Sequence, residues 1–175
     1  IEGVSLQIED SILGTGGGLS QAVDKLRDEP VLVTNGDIYH TIDVRRLYNG
    51  HLASSAKISL AVHDFPRFNS MIVKDSKLHG FAASAEGGNL AFTGLHVIDV
   101  ELLRQIPLGR KSCIVQKYKE LTAQHQDVFD LLRVNDAYWT DMGTVEDYLS
   151  LHGQLLLGKV PAWQDLCLAD QSPFI

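Results

Sequence analysis

The stretch Pro30-Val31-Leu32-Val33-Thr34-Asn35-Gly36-Asp37 decides the fold. Its apolar run is short and carries β-branched residues on both faces, which predicts a strand buried from both sides. Asn35-Gly36 is turn chemistry that ends the strand. Asp37 then stands at the strand's carboxyl end, where open α/β sheets bind their ligands.

Strand and helix patterns alternate on either side of this run. Upstream, Val4 to Ile8 alternates as a strand, Gly14 to Gly18 predicts a loop, and Leu19, Ala22, Val23 and Leu26 share one face of a helix over 19–26. Downstream, Asp43 is placed to cap a helix carrying Val44, Leu47 and Tyr48. Lys57 to His63 reads as a strand. Met71 to Val73 and Leu78 to Phe81 form a hairpin around turn residues 74–77. Leu90 to Ile98 is a further strand, and Asp99 opens a short helix over 100–106. Residues 114–125 are helical, 128–134 and 137–140 extended, and Val145 to Leu157 an amphipathic helix. This order predicts an α/β domain over residues 1–157, with a mixed, mostly parallel sheet flanked by helices. Residues 158–175, punctuated by Pro161 and Pro173, are expected to be a tail that wraps the surface.

Composition narrows the function. The chain has 175 residues, 22 acidic and 15 basic, for a net charge of −7. A basic face for nucleic acid is therefore not expected, and an anionic substrate needs local donors or a metal. Two cysteines, Cys113 and Cys167, with no Cys-x-x-Cys, make no disulfide framework and suggest a reducing, cytoplasmic setting. No apolar run has the length of a membrane span. The chain opens on Ile1 and moves at once into a strand pattern, so it is expected to begin partway through a larger protein.

Four features can carry chemistry. Asp37 is a hard oxygen ligand suited to Mg²⁺, with Gly36 allowing close backbone approach; the plain alternative is an aspartate ending a strand. Asp141, in Trp139-Thr140-Asp141-Met142-Gly143-Thr144, also follows an apolar strand, and Thr144 can cap the next helix with Asp147 at its third position. Two strand-end carboxylates can converge on one cation that also holds phosphates. The Gly14-Thr15-Gly16-Gly17-Gly18 cluster can leave backbone N–H groups for a ligand, or be a flexible turn; it matches neither a P-loop nor a dinucleotide fingerprint. Gly94, inside the strand over 90–98, marks a bulge or a close ligand approach. His40, His63, His79 and His96 have no metal-ligand spacing and read as ordinary surface or half-buried residues. No Gly-x-Ser-x-Gly or cysteine beside a base supports a covalent nucleophile.

Taken in order, these motifs resemble the sugar-phosphate nucleotidylyltransferase family: Leu13 to Leu19 before a helix, Val31 to Asp37, Phe92-Thr93-Gly94-Leu95, and Trp139 to Thr144 with Tyr148. His63 to Asn69 resembles mannose-1-phosphate guanylyltransferases and N-acetylmuramate-1-phosphate uridylyltransferases. The resemblance implies a Rossmann-like fold of the nucleotide-diphospho-sugar transferase type, incomplete at its N-terminus. It implies Mg²⁺ on Asp37 and Asp141, which are also the catalytic pair. It implies nucleotide contacts at Gly16, Gly17, Gly18 and Gly36, and sugar-phosphate contacts at Thr93 and Gly94. The implied reaction joins a sugar 1-phosphate to the α-phosphate of an NTP and releases pyrophosphate, with no nucleic-acid or membrane partner and a homo-oligomer left open. The family's Arg-containing glycine loop with Pro-Lys is absent from these residues, as is its Glu-Lys-Pro; Lys117 and Lys119 are the basic substitutes to examine. A non-catalytic sugar-nucleotide-binding relative and a metal-dependent glycosyltransferase are the alternative readings.

Overall fold

In the computed structural model, which describes residues 3–162, the chain runs α1 (Gly14–Ala22), β1 (Val31–Thr34), β2 (Ile38–His40), α2 (Val44–Ala53), β3 (Ile58–His63), β4 (Met71–Lys74), β5 (Lys77–Phe81), β6 (Ala91–Ile98), α3 (Val100–Leu103), α4 (Ile114–Gln124), β7 (Phe129–Arg133), β8 (Trp139–Asp141) and α5 (Val145–Leu156). The caps form where the sequence places them. Asp43 accepts from Arg46 N–H at 3.0 Å and starts α2; Thr144 accepts from Asp147 N–H at 3.1 Å and starts α5.

The central sheet has the order β1-β6-β3-β7. β1, β3 and β7 run in one direction, and the sheet is mixed as expected. β6 runs against them and pairs antiparallel on both sides, so β3–β7 is the parallel pair. Alternation along β3 sorts its side chains into two cores. Ile58, Leu60 and Val62 face the layer holding Leu103, Tyr118 and Leu78, while Ala61 joins Leu95, Val97, Leu47 and Trp139 on the other side. The β4–β5 hairpin turns at Asp75 and Ser76, with φ of 48° and 60°, the left-handed pair a two-residue hairpin turn requires. Two shorter strands, β2 and β8, make a separate antiparallel ribbon.

Three expectations are corrected. The glycine cluster is a helix, α1, instead of a loop. Its close seat against residues 110–114 fixes it: a Cβ on Gly16 or Gly17 would lie 2.9 Å from Ser112 Oγ or 2.6 Å from Arg110 O. Val4 to Ile8 forms no strand; a period-2 pattern needs a neighbouring strand, and among the described residues none pairs with it. β1 is a sheet edge among the described residues, with Leu32 37% exposed, so it is covered less than its composition predicts. Of the expected tail, residues 163–175 lie outside the described residues.

Candidate functional site

The β2–β8 ribbon brings the two aspartates together. Asp37 directly precedes β2, Asp141 ends β8, and Ile38 pairs with Asp141 in the antiparallel register. Met142 N–H donates to the Asp37 carbonyl at 2.9 Å, closing the end of the ribbon. A Cβ built on Gly143 would lie 3.3 Å from Asp141 Oδ1 and 3.6 Å from Asp37 Oδ2, so both carboxylates border one small volume beside that glycine. Gly143 N–H donates to Asp141 Oδ1 at 3.1 Å. Asp37 is exposed and Asp141 half-buried, which suits groups that must meet a soluble ligand.

This donor set fits a hard divalent cation. Among the described residues no group of three or more His, Cys, Asp or Glu gathers to hold a metal. The two carboxylates are oxygen donors of the kind a hard cation such as Mg²⁺ takes.

A cleft of about 240 Å³ opens beside Asp141. Its lining includes Thr15, Asn35, Thr93, Gly94, Cys113 and Asp141, with Phe68, Phe81, Phe92 and Trp139 as apolar walls. Of the sequence candidates, Thr93, Gly94 and Asp141 line this cleft, whereas Asp37, Gly16, Gly17, Gly18 and Gly36 are not among its lining residues. The β6 strand carries the bulge predicted at Gly94: Leu60 pairs with His96 but Val62 with Phe92, and Gly94 has φ of 82°. Asn35 fills the space that a side chain there would need, its Nδ2 lying 2.8 Å from the position of a Cβ. Asn35 was not singled out in the sequence beyond its turn role, although its place beside Gly36-Asp37 is a usable signal.

Several expected contacts take a different form. The Thr93 side chain is fully buried: its hydroxyl donates to Ala61 O at 2.9 Å and accepts from Leu95 N–H at 3.3 Å. Its carbonyl accepts from Trp139 Nε1 at 2.8 Å. Thr93 therefore shapes the bulge and ties β6 to β8. Gly16 and Gly17 do not leave their N–H groups for a ligand, because both donate to the Ser112 carbonyl, at 3.0 and 3.3 Å. Gly18 lies against the Glu9 carboxylate, and Gly36 has open space around it. Lys117 and Lys119 do not line the cleft. His96 is not a surface or half-buried histidine: it is fully buried against Phe92 and Tyr118, and burial pushes its pKa down to about 3.

Arg67 and Asp147 form a two-pronged ion pair beside the Asp141–Thr144 turn. Arg67 Nη1 and Nη2 donate to the two Asp147 carboxylate oxygens at 2.5 and 2.8 Å. These bonds, with the Thr144 hydroxyl, hold the Asp147 carboxyl down at about 2. A larger depression, about 420 Å³, lies at the other end of the sheet between Asp28, Lys57, Asp99 and Arg104. Its charges pair with one another, Arg104 with Asp28 and Lys57 with Asp99, and it has no apolar wall of comparable extent. The smaller cleft with the convergent carboxylates is the better candidate.

No protein-family model matches the chain. It is 26% identical over 157 residues to a D-glycero-alpha-D-manno-heptose 1-phosphate guanylyltransferase of Aneurinibacillus thermoaerophilus, covering 87% of this chain and 67% of that protein. It is 28% identical over 161 residues to a mannose-1-phosphate guanylyltransferase of Mycobacterium tuberculosis, covering 88% of this chain and 45% of that protein. The chain thus spans between about half and two thirds of these relatives. Among solved structures, HddC from Yersinia pseudotuberculosis complexed with GMP-PN superposes with a TM-score of 0.67 at 21% identity, over 82% of this chain and 63% of that one. A UDP-glucose pyrophosphorylase from Acinetobacter baumanii gives a TM-score of 0.67 at 16% identity, over 81% of this chain and 55% of that one. Among the described residues no helix is long and apolar enough to cross a membrane. In sequence this chain is similar to proteins named sugar-1-phosphate guanylyltransferases, and in its mixed α/β fold to the solved HddC and UDP-glucose pyrophosphorylase structures.

Proposed function

We propose that the intact protein is a Mg²⁺-dependent nucleotidyltransferase that joins a sugar 1-phosphate to the α-phosphate of an NTP. The observation that carries this reading is the pair of carboxylates, Asp37 and Asp141, bordering one volume beside Gly143, with Asp141 also lining the Thr93–Gly94 cleft. In the reaction a sugar-phosphate oxygen forms a bond to the α-phosphorus, the bond to the bridging oxygen breaks, and pyrophosphate leaves with the electron pair. The nucleophile is already an anion, so no general base is required. The work left to the protein is to align two anions that repel each other and to stabilise charge at the α-phosphate.

Asp37 and Asp141 would hold Mg²⁺, which supplies charge neutralisation at the phosphates when bound. The bulge at Gly94 brings backbone to the cleft surface without a side chain in the way, as a sugar or its phosphate requires. Phe68, Phe81, Phe92 and Trp139 exclude water from one side of the cleft. Gly16 and Gly17 act on the nucleotide by letting α1 lie close to residues 110–114, which presents Thr15 to the cleft, while Gly18 lies against Glu9. Because two relatives are named guanylyltransferases, GTP with mannose 1-phosphate or a heptose 1-phosphate is the first pair to supply.

The test is pyrophosphate release by the intact protein with Mg²⁺, against Asp37→Asn and Asp141→Asn. Each variant is expected to lose at least about a hundredfold in kcat, the scale of a lost transition-state charge interaction. Full activity in both variants removes the mechanism. A second reading, sugar-nucleotide binding without turnover, is favoured by one observation: no Lys or Arg lines the cleft. Calorimetric binding of a nucleoside-diphosphate sugar with no pyrophosphate release in any nucleotide would support it.

A further inference from the structure

The turn that carries Asp141 is short and has few anchors. Met142 and Gly143 alone separate β8 from the Thr144 cap of α5. Two contacts hold the near end, Met142 N–H on Asp37 O and Gly143 N–H on Asp141 Oδ1. The far end is held by Asp147, whose N–H donates to Thr144 Oγ1 and whose Oδ2 accepts from the Thr144 hydroxyl at 2.7 Å.

Arg67 reaches this turn by two routes. Its guanidinium grips both carboxylate oxygens of Asp147. It also lies over the Phe68 ring, 4.9 Å from the centroid, and Phe68 meets Trp139 edge-on at 5.8 Å. Trp139 stands two residues before Asp141 in the same strand. One side chain therefore ties the turn after β3 to both ends of the strand and loop that present Asp141. Nothing in the reaction proposed above uses Arg67, and its partners satisfy a planar fork that an ammonium group cannot reproduce.

We propose that Arg67 is a positioning residue of the carboxylate pair: by clamping Asp147 it fixes the Asp141–Thr144 turn, and so sets how well Asp37 and Asp141 hold a divalent cation. The cation part rests on the reading of the site given under the proposed function. Outer partners of metal ligands commonly change cation affinity by about tenfold or more when removed. The clamp itself is a statement about the turn and holds without a metal.

The experiment uses the intact protein with two readouts. Amide hydrogen exchange at Met142 and Gly143, without metal, reads the turn. Mn²⁺ alone, titrated by its enhancement of water-proton relaxation, reads the carboxylate pair. In Arg67→Met and Asp147→Asn, exchange at those two amides is expected to rise about tenfold, with core amides of β3 and β6 unchanged, and Mn²⁺ affinity to fall about tenfold. The double variant is expected to be no worse than either single one, because both remove the same clamp. Arg67→Lys, which keeps the charge and loses the fork, should fall between wild type and Arg67→Met, and it serves if Arg67→Met does not fold. Unchanged exchange at Met142 and Gly143 overturns the proposal. So does faster exchange with unchanged Mn²⁺ affinity. Mn²⁺ binding that Asp37→Asn and Asp141→Asn leave intact sinks the cation site instead; the exchange arm then decides the clamp by itself.

Discussion

Acid should destabilise this protein through one buried histidine. His96 is fully buried on β6, both of its ring nitrogens are without a hydrogen-bond partner, and it packs between Phe92 and Tyr118 at centroid distances of 5.5 and 5.6 Å. Burial lowers its pKa from 6.5 to about 3. The folded state therefore keeps His96 neutral over a range in which the unfolded chain binds a proton. Unfolded chains bind more protons below the unfolded value, so stability is lost as pH falls from there towards the folded value. The fall from pH 7.5 to 4.5 amounts to about 2–3 kcal/mol. Urea unfolding of wild type and His96→Leu at those two pH values isolates the term, since His40, also lowered by burial, is common to both. The leucine variant removes the titration and the unpaired nitrogens at similar volume, and should lose about 2–3 kcal/mol less than wild type over the same interval. Equal losses in the two proteins would refute the argument. Phe92 packs on His96 and also lines the cleft, so the same acid step should reach the site.

Two further outcomes follow from packing and from the sheet edge. Gly17→Ala places a methyl group 2.6 Å from Arg110 O, a backbone atom that cannot swing away, and should cost about 1–3 kcal/mol by thermal or urea unfolding; a loss under about 0.5 kcal/mol would mean that α1 shifts freely. Leu32→Lys puts a charge at a 37% exposed position on the β1 edge, and should lower light scattering at high protein concentration with little change in melting temperature; unchanged scattering would show that this edge does not drive association.

What the sequence shows and hides divides along the range of the interactions. Asp43 and Thr144 are legible as caps because an N-cap bonds an amide three residues away. Asp37 and Asp141 are legible as a pair because each follows a strand, and sheet topology does the rest. Gly94 announces its bulge because a strand interior has little other use for glycine. Gly14 to Gly18 mislead because glycine's low helix propensity argues for a loop, whereas a close seat against Ser112 outweighs it. The Arg67–Asp147 clamp joins residues 80 apart, and no local pattern in either segment names the other. The histidines show the same limit: a lone histidine in a strand reads as half-exposed until β6 is known to lie inside the sheet with α4 above it.

The site's electrostatics follow from that arrangement. Two carboxylates that face one volume repel each other, and the repulsion is strongest when nothing positive stands between them. Arg67 is committed to Asp147 through both arms of its guanidinium, yet its charge also acts on Asp141, so it steadies the turn and offsets part of that repulsion. The chain's net charge of −7 adds no further relief. A divalent cation entering here would gain both carboxylates at once, whereas the pair would repel a phosphorylated substrate arriving by itself. On the proposed reading, cation and anion must therefore bind interdependently: Mg²⁺ should lower the apparent Kd for the phosphorylated substrate, and by linkage that substrate should tighten Mg²⁺ binding by the same factor.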